Sequence, residues 1–254
     1  MSNYSADPPS VTRVRKHRIR KPIWLAVLLV AATVTSWSQS SAPVIETIAP
    51  DLDATLQSVE RMQQQNPAHF SPYEVTRKYK IFRADDKQPI SEVTAQISFT
   101  PPDTKTYTIT QASGRPVGGR MVRAILDQET AAAKISDNNE INRRNYDFVF
   151  LRRENFGAIP AYVLLIIPKR KAKNLLLGQI WVDASTFRIW RIEGIPGVNP
   201  SIWIKNIHIT LQFAELRGAW IPVSFDAIAT IRLLGQYTLV GLNVEAPTKG
   251  SIAP

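Results

Sequence analysis

The runs Ile207-His208-Ile209-Thr210-Leu211-Gln212-Phe213 and Val223-Ser224-Phe225-Asp226-Ala227-Ile228-Ala229-Thr230 decide the fold. In the first, Ile207, Ile209, Leu211 and Phe213 alternate with His208, Thr210 and Gln212. In the second, Val223, Phe225, Ala227 and Ala229 alternate with Ser224, Asp226 and Thr230. Successive side chains of a strand point to opposite faces, so each run predicts an antiparallel strand with one apolar and one wet face.

The same alternation recurs upstream. Tyr73, Val75, Tyr79 and Ile81 are interleaved with Glu74, Thr76, Lys78 and Lys80, and Val93, Ala95, Ile97 and Phe99 with Glu92, Thr94, Gln96 and Ser98. Pro101-Pro102-Asp103 then turns the chain into a third strand over 105–111, carrying Tyr107 and Ile109 on one side. Further strands are predicted over 146–151, 161–167, 178–183, 187–193, 202–213, 220–232 and 236–244. Short connections favour neighbours that run up and down. The strand 161–167 is apolar on both faces and is expected to lie centrally with cover on each side.

Two segments follow the helical period instead. Leu52, Leu56, Val59 and Met62 lie behind Pro50, Asp51 and Asp53, and Asn66-Pro67 ends the pattern. Met121, Val122, Ile125, Leu126, Ala132 and Ala133 place a second apolar stripe over roughly 120–135, with Asp137-Asn138-Asn139 closing it. The expectation is a mainly β (α+β) protein: about ten antiparallel strands in a strongly curved sheet or incomplete β-barrel, covered by two amphipathic helices. A sheet of that size twists and curls, and its concave face needs cover.

The 254 residues carry a formal net charge of +10, but half of that excess lies in the stretch from Met1 to Lys21. There Arg13, Arg15, Lys16, Arg18, Arg20 and Lys21 precede the apolar run Ile23 to Val34. A cationic stretch, a short apolar run and then small polar residues have the layout of an export signal, and twelve apolar residues fall short of the roughly 20 that span a bilayer. Residues 1–40 are therefore expected to be a signal peptide, or else a retained anchor at the inner membrane. Residues 41–50 read as a Ser/Pro-rich linker, 51–245 as the folded domain and 246–254 as a tail. With no cysteine, the chain has no disulfide, no thiolate metal site and no cysteine-linked lipid.

The residues that chemistry would need are sparse. His17 lies in the leader, and His69 and His208 stand apart from each other. Hydrolase, zinc and thiol-redox motifs are missing, so neither a catalytic residue nor a metal or cofactor is expected. Gly114-Arg115-Pro116-Val117-Gly118-Gly119 lacks the lysine and hydroxyl residue that complete a phosphate loop, and reads as a flexible connection before the second helix. Lys169, Arg170, Lys171 and Lys173 form the densest basic cluster of the folded part. It is a solvated turn guarding an apolar strand, or a docking patch for an acidic membrane protein or an anionic membrane surface. Nucleic acid is not expected as a partner.

Several segments follow one another in a fixed order: Tyr146-Asp147-Phe148, Gly157-Ala158-Ile159-Pro160-Ala161-Tyr162-Val163-Leu164, Pro168-Lys169-Arg170-Lys171, Gly178-Gln179-Ile180-Trp181-Val182-Asp183, Arg191-Ile192-Glu193-Gly194 and Gly218-Ala219-Trp220-Ile221-Pro222. This series resembles the LolA-like outer-membrane lipoprotein-sorting proteins. It is dense from about 145 to 224, and the element order agrees back to 51. The resemblance implies an incomplete barrel whose mouth is covered by helices, enclosing a cavity for a lipid or the acyl chains of a lipoprotein. It implies a periplasmic carrier working toward the outer membrane or, alternatively, a lipoprotein-sensing regulatory module at the inner membrane. Combined with alternation, it places Phe148, Phe150, Tyr162, Leu164, Trp203, Ile207, Ile209, Leu211, Val223 and Phe225 on the cavity wall. Gly118 and Gly119 are expected to be the hinge of a helical lid.

Overall fold

The computed structural model describes residues 50–84, 86–135 and 139–244, with the side chain of Phe156 left aside. The leader, most of the linker, the helix stop at Asp137-Asn138 and the tail lie outside the described residues.

Helix α1 spans Leu52–Gln64 and starts where an N-cap is available: Asp51 Oδ1 accepts from the backbone N–H groups of Asp53 and Ala54 at 3.0 and 3.2 Å. A single 3₁₀ turn, Pro67–His69, follows. Three strands come next, β1 (Tyr73–Arg83), β2 (Ser91–Thr100) and β3 (Thr104–Gly114), then helix α2 (Pro116–Ala133). The rest is a meander: β4 (Tyr146–Phe156), β5 (Ile159–Pro168), β6 (Leu176–Asp183), β7 (Ile189–Pro196), β8 (Ile204–Leu216), β9 (Ala219–Ile231) and β10 (Gly235–Val244).

All ten strands join one sheet in the order β3-β2-β1-β10-β9-β8-β7-β6-β5-β4. The described pairs are antiparallel, including β1 with β10, where Tyr79 lies opposite Gly241. This is a meander closed through β1 and β10 and left open between β3 and β4, the two strands that α2 separates in the chain. The sheet is an incomplete barrel. Single-residue offsets in the ladders at Thr110, Leu151, Trp190, Lys205 and Val223 are β-bulges. Each bends its strand and increases the local twist, which helps the sheet to curl.

The two helices cover opposite ends of the inner face. Leu56 and Val59 of α1 pack with Leu164, Ile166, Ile180 and Val182 into one core, with Phe148, Phe150 and Tyr162 against it. Val122 and Leu126 of α2 pack with Val75, Tyr79, Ile81, Val93, Ala95 and Ile97 into another. Burial of a side chain of this size contributes roughly 1.5–3 kcal/mol, so each helix is held mainly by its apolar stripe.

β5 lies next to the edge strand β4, not centrally as its two apolar faces predicted. Its outer face is covered by a side chain: Ala161 and Val163 are buried against Trp181 of β6. The Trp181 indole N–H donates to Glu154, and the Arg191 guanidinium lies 5.1 Å from the ring centre. One large aromatic thus substitutes for a covering helix.

Helix α2 begins at Pro116, earlier than the apolar stripe predicted, so Gly118 and Gly119 belong to its first turn and not to a loop ahead of it. Proline is pre-shaped for a first helical position. Gly118 is a contact residue: a Cβ there would lie 2.3 Å from Ser91 Cβ, and the buried Ser91 hydroxyl donates to the Arg115 carbonyl at 2.7 Å. The residue that turns the chain is Gly114, whose φ of +81° is open to glycine at little cost.

Candidate functional site

Between the two helices, the inner face of the sheet bounds a cavity of about 850 Å³. That lies within the roughly 300–1,000 Å³ typical of small-molecule sites. Its floor comes from the three strands that neither helix packs down on fully: Ile207, Ile209, Leu211 and Phe213 of β8, Phe225, Ala227, Ala229 and Ile231 of β9, and Tyr237 and Leu239 of β10. Ala227 lies opposite Ile209 on one side and Leu239 on the other. Small side chains at the centre of a floor flanked by large ones leave the hollow open.

One wall is the end of α1 and the 3₁₀ turn, with Met62, Ala68 and His69. Asn66 fixes this wall to β9: its Nδ2 donates to the Trp220 carbonyl at 2.6 Å, and its Oδ1 accepts from the Trp220 N–H at 2.9 Å. Glu60 also binds Arg143 (3.1 Å between Oε2 and NH2), and Gln63 donates to the Ile141 carbonyl. The other wall is α2, where Met121, Ala124, Ile125, Ala132 and Ala133 face the cavity while Val122 and Leu126 face the core. The sequence stripe on α2 therefore splits into a packing half and a cavity half.

Polar groups gather where α2 meets β1 and β3. Arg77, 5 % exposed, donates from NH1 to Glu129 Oε1 at 3.0 Å and from Nε to Asn243 Oδ1 at 2.8 Å. Lys105 Nζ lies 2.6 Å from Glu129 Oε2. Burial alone would raise the Glu129 carboxyl, but the charges of Lys105 and Arg77 prevail and hold it below the usual carboxylate range. Burial likewise drives the nearby Tyr79 hydroxyl up to about 12, so it stays protonated and can accept from Arg77. The arrangement ties the cavity half of α2 to the sheet through a buried ion cluster.

Of the residues placed on the cavity wall from sequence, Ile207, Ile209, Leu211 and Phe225 line it. Phe148, Phe150, Tyr162 and Leu164 instead fill the packed core beneath α1. Trp203 stands outside, 58 % exposed, just ahead of β8. Val223 sits on a bulge of β9. Both departures have one cause. A bulge adds a residue and shifts the alternation by one, so across Lys205 the inward positions run Ile204 then Ile207, and across Val223 they run Pro222 then Phe225. The lining also includes Phe213, Ala227 and Ala229, which alternation puts on the apolar face but which were not among the residues placed on the wall, and Tyr237 and Leu239 of β10.

His208 is bound to Glu193 Oε1 at 3.0 Å, away from His69 on the cavity wall. Among the described residues, no three His, Cys, Asp or Glu side chains cluster as metal ligands would. No described helix is long and apolar enough to cross a membrane. Lys169 is paired with Asp147 at 3.4 Å, and Lys171 and Lys173 are exposed.

The chain is similar to solved LolA-type structures. An outer-membrane lipoprotein-sorting protein domain from Vibrio parahaemolyticus superposes with a TM-score of 0.45 at 12 % identity, covering 78 % of this chain and 94 % of that one. A LolA-superfamily protein from Nitrosomonas europaea gives 0.39 at 13 % identity, with 78 % and 95 % covered. The MucA/MucB complex from Pseudomonas aeruginosa gives 0.24 at 10 % identity, with 76 % and 94 % covered. No family model matches the sequence, and no curated protein does.

Proposed function

We propose that this protein is a non-enzymatic carrier that takes a lipid, or the acyl chains of a lipoprotein, into the cavity between α1 and α2 and conducts it across the periplasm toward the outer membrane. The observation that carries this reading is the floor of β8, β9 and β10: a wide apolar surface at the centre of the sheet that the two helices flank without filling. Each methylene withdrawn from water is worth roughly 0.8 kcal/mol, so a free acyl chain does not cross an aqueous compartment unaided. A sheet that curls around a hollow gives the chain an apolar surface, and helices at its rim give it a movable cover. The order of motifs from Tyr146 to Pro222 supports the same reading.

The test is uptake of a dansyl-labelled fatty acid by detergent-free protein. Saturable binding at one site, with a blue-shifted emission and displacement by unlabelled lipid, is the expected result. Emission that never saturates, or that bulk lipid fails to displace, would remove the carrier function.

A further inference from the structure

One rim of the sheet carries large apolar side chains in the open. Leu233 is 97 % exposed, Ile202 81 %, Trp203 58 % and Leu234 48 %. They come from two connections, β7 to β8 and β9 to β10, that are bonded to each other: the Arg232 N–H donates to the Trp203 carbonyl at 2.8 Å and its Nε to the Ile202 carbonyl at 3.0 Å. Leu233 holds a φ of +66°, in the left-handed region that a branched side chain adopts at a cost. The strain falls on the residue at the very tip.

The same rim is basic. The β5 to β6 connection, with Lys169, Arg170, Lys171 and Lys173, reaches the β7 to β8 connection through the Gly197 N–H, which donates to the Leu175 carbonyl at 2.8 Å. Lys205 and Arg232 are exposed beside the apolar tip. Among the described residues, Lys171, Lys173, Lys205 and Arg232 form no ion pair with a carboxylate. The cavity also reaches this rim, since Lys173, Pro200, Ser201, Ile204 and Ile231 line it.

We propose that this rim docks on an anionic bilayer: Leu233, Leu234, Ile202 and Trp203 enter the headgroup region, Lys171, Lys173, Lys205 and Arg232 meet lipid phosphates, and an acyl chain passes between membrane and cavity over Ile204 and Ile231. This inference rests on the carrier reading, because it supplies the cavity with its route to lipid. The chemistry is that of an interfacial anchor, in which apolar side chains enter the acyl boundary and lysines and arginines stay among anionic headgroups. A bilayer is favoured over a protein partner by the layout: the apolar residues stand in two chain turns, Leu233 almost wholly exposed, with exposed Lys205 and Arg232 immediately beside them. Indole and aliphatic groups beside lysine and arginine are the composition of a membrane–water boundary.

Because the chain has no cysteine, a single reporter can be placed at will. The full-length Leu233→Cys protein, labelled with an environment-sensitive dye, is mixed with vesicles of 30 % phosphatidylglycerol in phosphatidylcholine. Its emission should shift to the blue, reverse in high salt and stay in water with phosphatidylcholine alone. The same dye on Arg217→Cys, at the opposite rim, should stay in water throughout. Leu233→Asp/Leu234→Asp should weaken vesicle binding at least tenfold and leave fatty-acid uptake in solution unchanged. A Leu233 reporter that remains in water on anionic vesicles, or one that shifts without vesicles as protein concentration rises, would overturn the docking surface. Loss of fatty-acid uptake in the unsubstituted protein would instead strike the carrier reading itself.

Discussion

Filling the floor of the cavity should abolish lipid uptake without unfolding the protein. Ala227 and Ala229 lie at the centre of β9, the first between Ile209 and Leu239 and the second between Ile207 and Tyr237, all of them cavity residues. In Ala227→Phe/Ala229→Phe, two rings would project into the hollow of about 850 Å³ and displace a stretch of about four methylenes from a bound chain. At roughly 0.8 kcal/mol each, the loss is about 3 kcal/mol, or more than a hundredfold in dissociation constant. Overpacking a filled core with rings of this size costs about 1–3 kcal/mol per site. In a true hollow the rings meet open space, so the unfolding midpoint in urea should hold or rise. Fatty-acid titration and urea unfolding on the same preparation read both quantities. Undiminished binding with unchanged stability would place the lipid elsewhere, and a stability loss of several kcal/mol would mean that the floor is already covered.

Other consequences follow from the contacts that hold the two walls. Glu129→Gln leaves the buried Arg77 without its carboxylate; the expected cost is about 3 kcal/mol, seen as a fall of roughly 6–12 °C in Tm by calorimetry. Glu60, Glu129 and Asp183 are all held below their usual range, in each case against burial, which by itself raises the carboxyl: Glu60 by Arg143, Glu129 by Lys105 and Arg77, Asp183 by the backbone N–H groups of Thr186 and Ser185. A carboxyl with a lowered folded pKa contributes stability that is fully present above its unfolded value and is lost as pH falls through the folded one, so the urea midpoint should hold down to about pH 5 and decline below about pH 4. Asp226, raised by burial, acts in the opposite sense; a midpoint that rises on acidification would show that it outweighs the other three. Gly118→Ala should cost about 1–3 kcal/mol through Ser91, whereas Gly119→Ala, with nothing within 4 Å of the new Cβ, should gain about 0.5–1 kcal/mol, both by urea unfolding.

Alternation marked the strands that have one face against a core or cavity and one against water, such as β1, β2, β8 and β9, whereas β5, buried on both faces, was legible as an unbroken apolar run. The helices were legible for the analogous reason, with Leu56 and Val59, and Val122 and Leu126, at helical spacing. The pairing of β1 with β10 was not, since contacts between the two ends of a chain leave no local mark. The cavity wall was half legible. Ile207, Ile209 and Leu211 lie on an uninterrupted stretch, whereas Trp203 and Val223 lie at or beyond a bulge, where an extra residue reverses the faces. Phe148, Phe150, Tyr162 and Leu164 do face inward, but α1 covers them, and alternation along a strand does not say which helix lies above it. Ala227 and Ala229 lie on the apolar face that alternation assigns but were not among the residues placed on the wall. Smallness at the middle of a curved floor was the available signal.

The most direct measurement is native mass spectrometry of the full chain, extracted and purified without detergent from the cells that make it. A carrier should leave the column with a bound mass in the range of a lipid or acyl group, lost in Ala227→Phe/Ala229→Phe. A bare polypeptide mass in both proteins, together with no saturable uptake of added fatty acid, would mean that the hollow between the helices does not hold lipid.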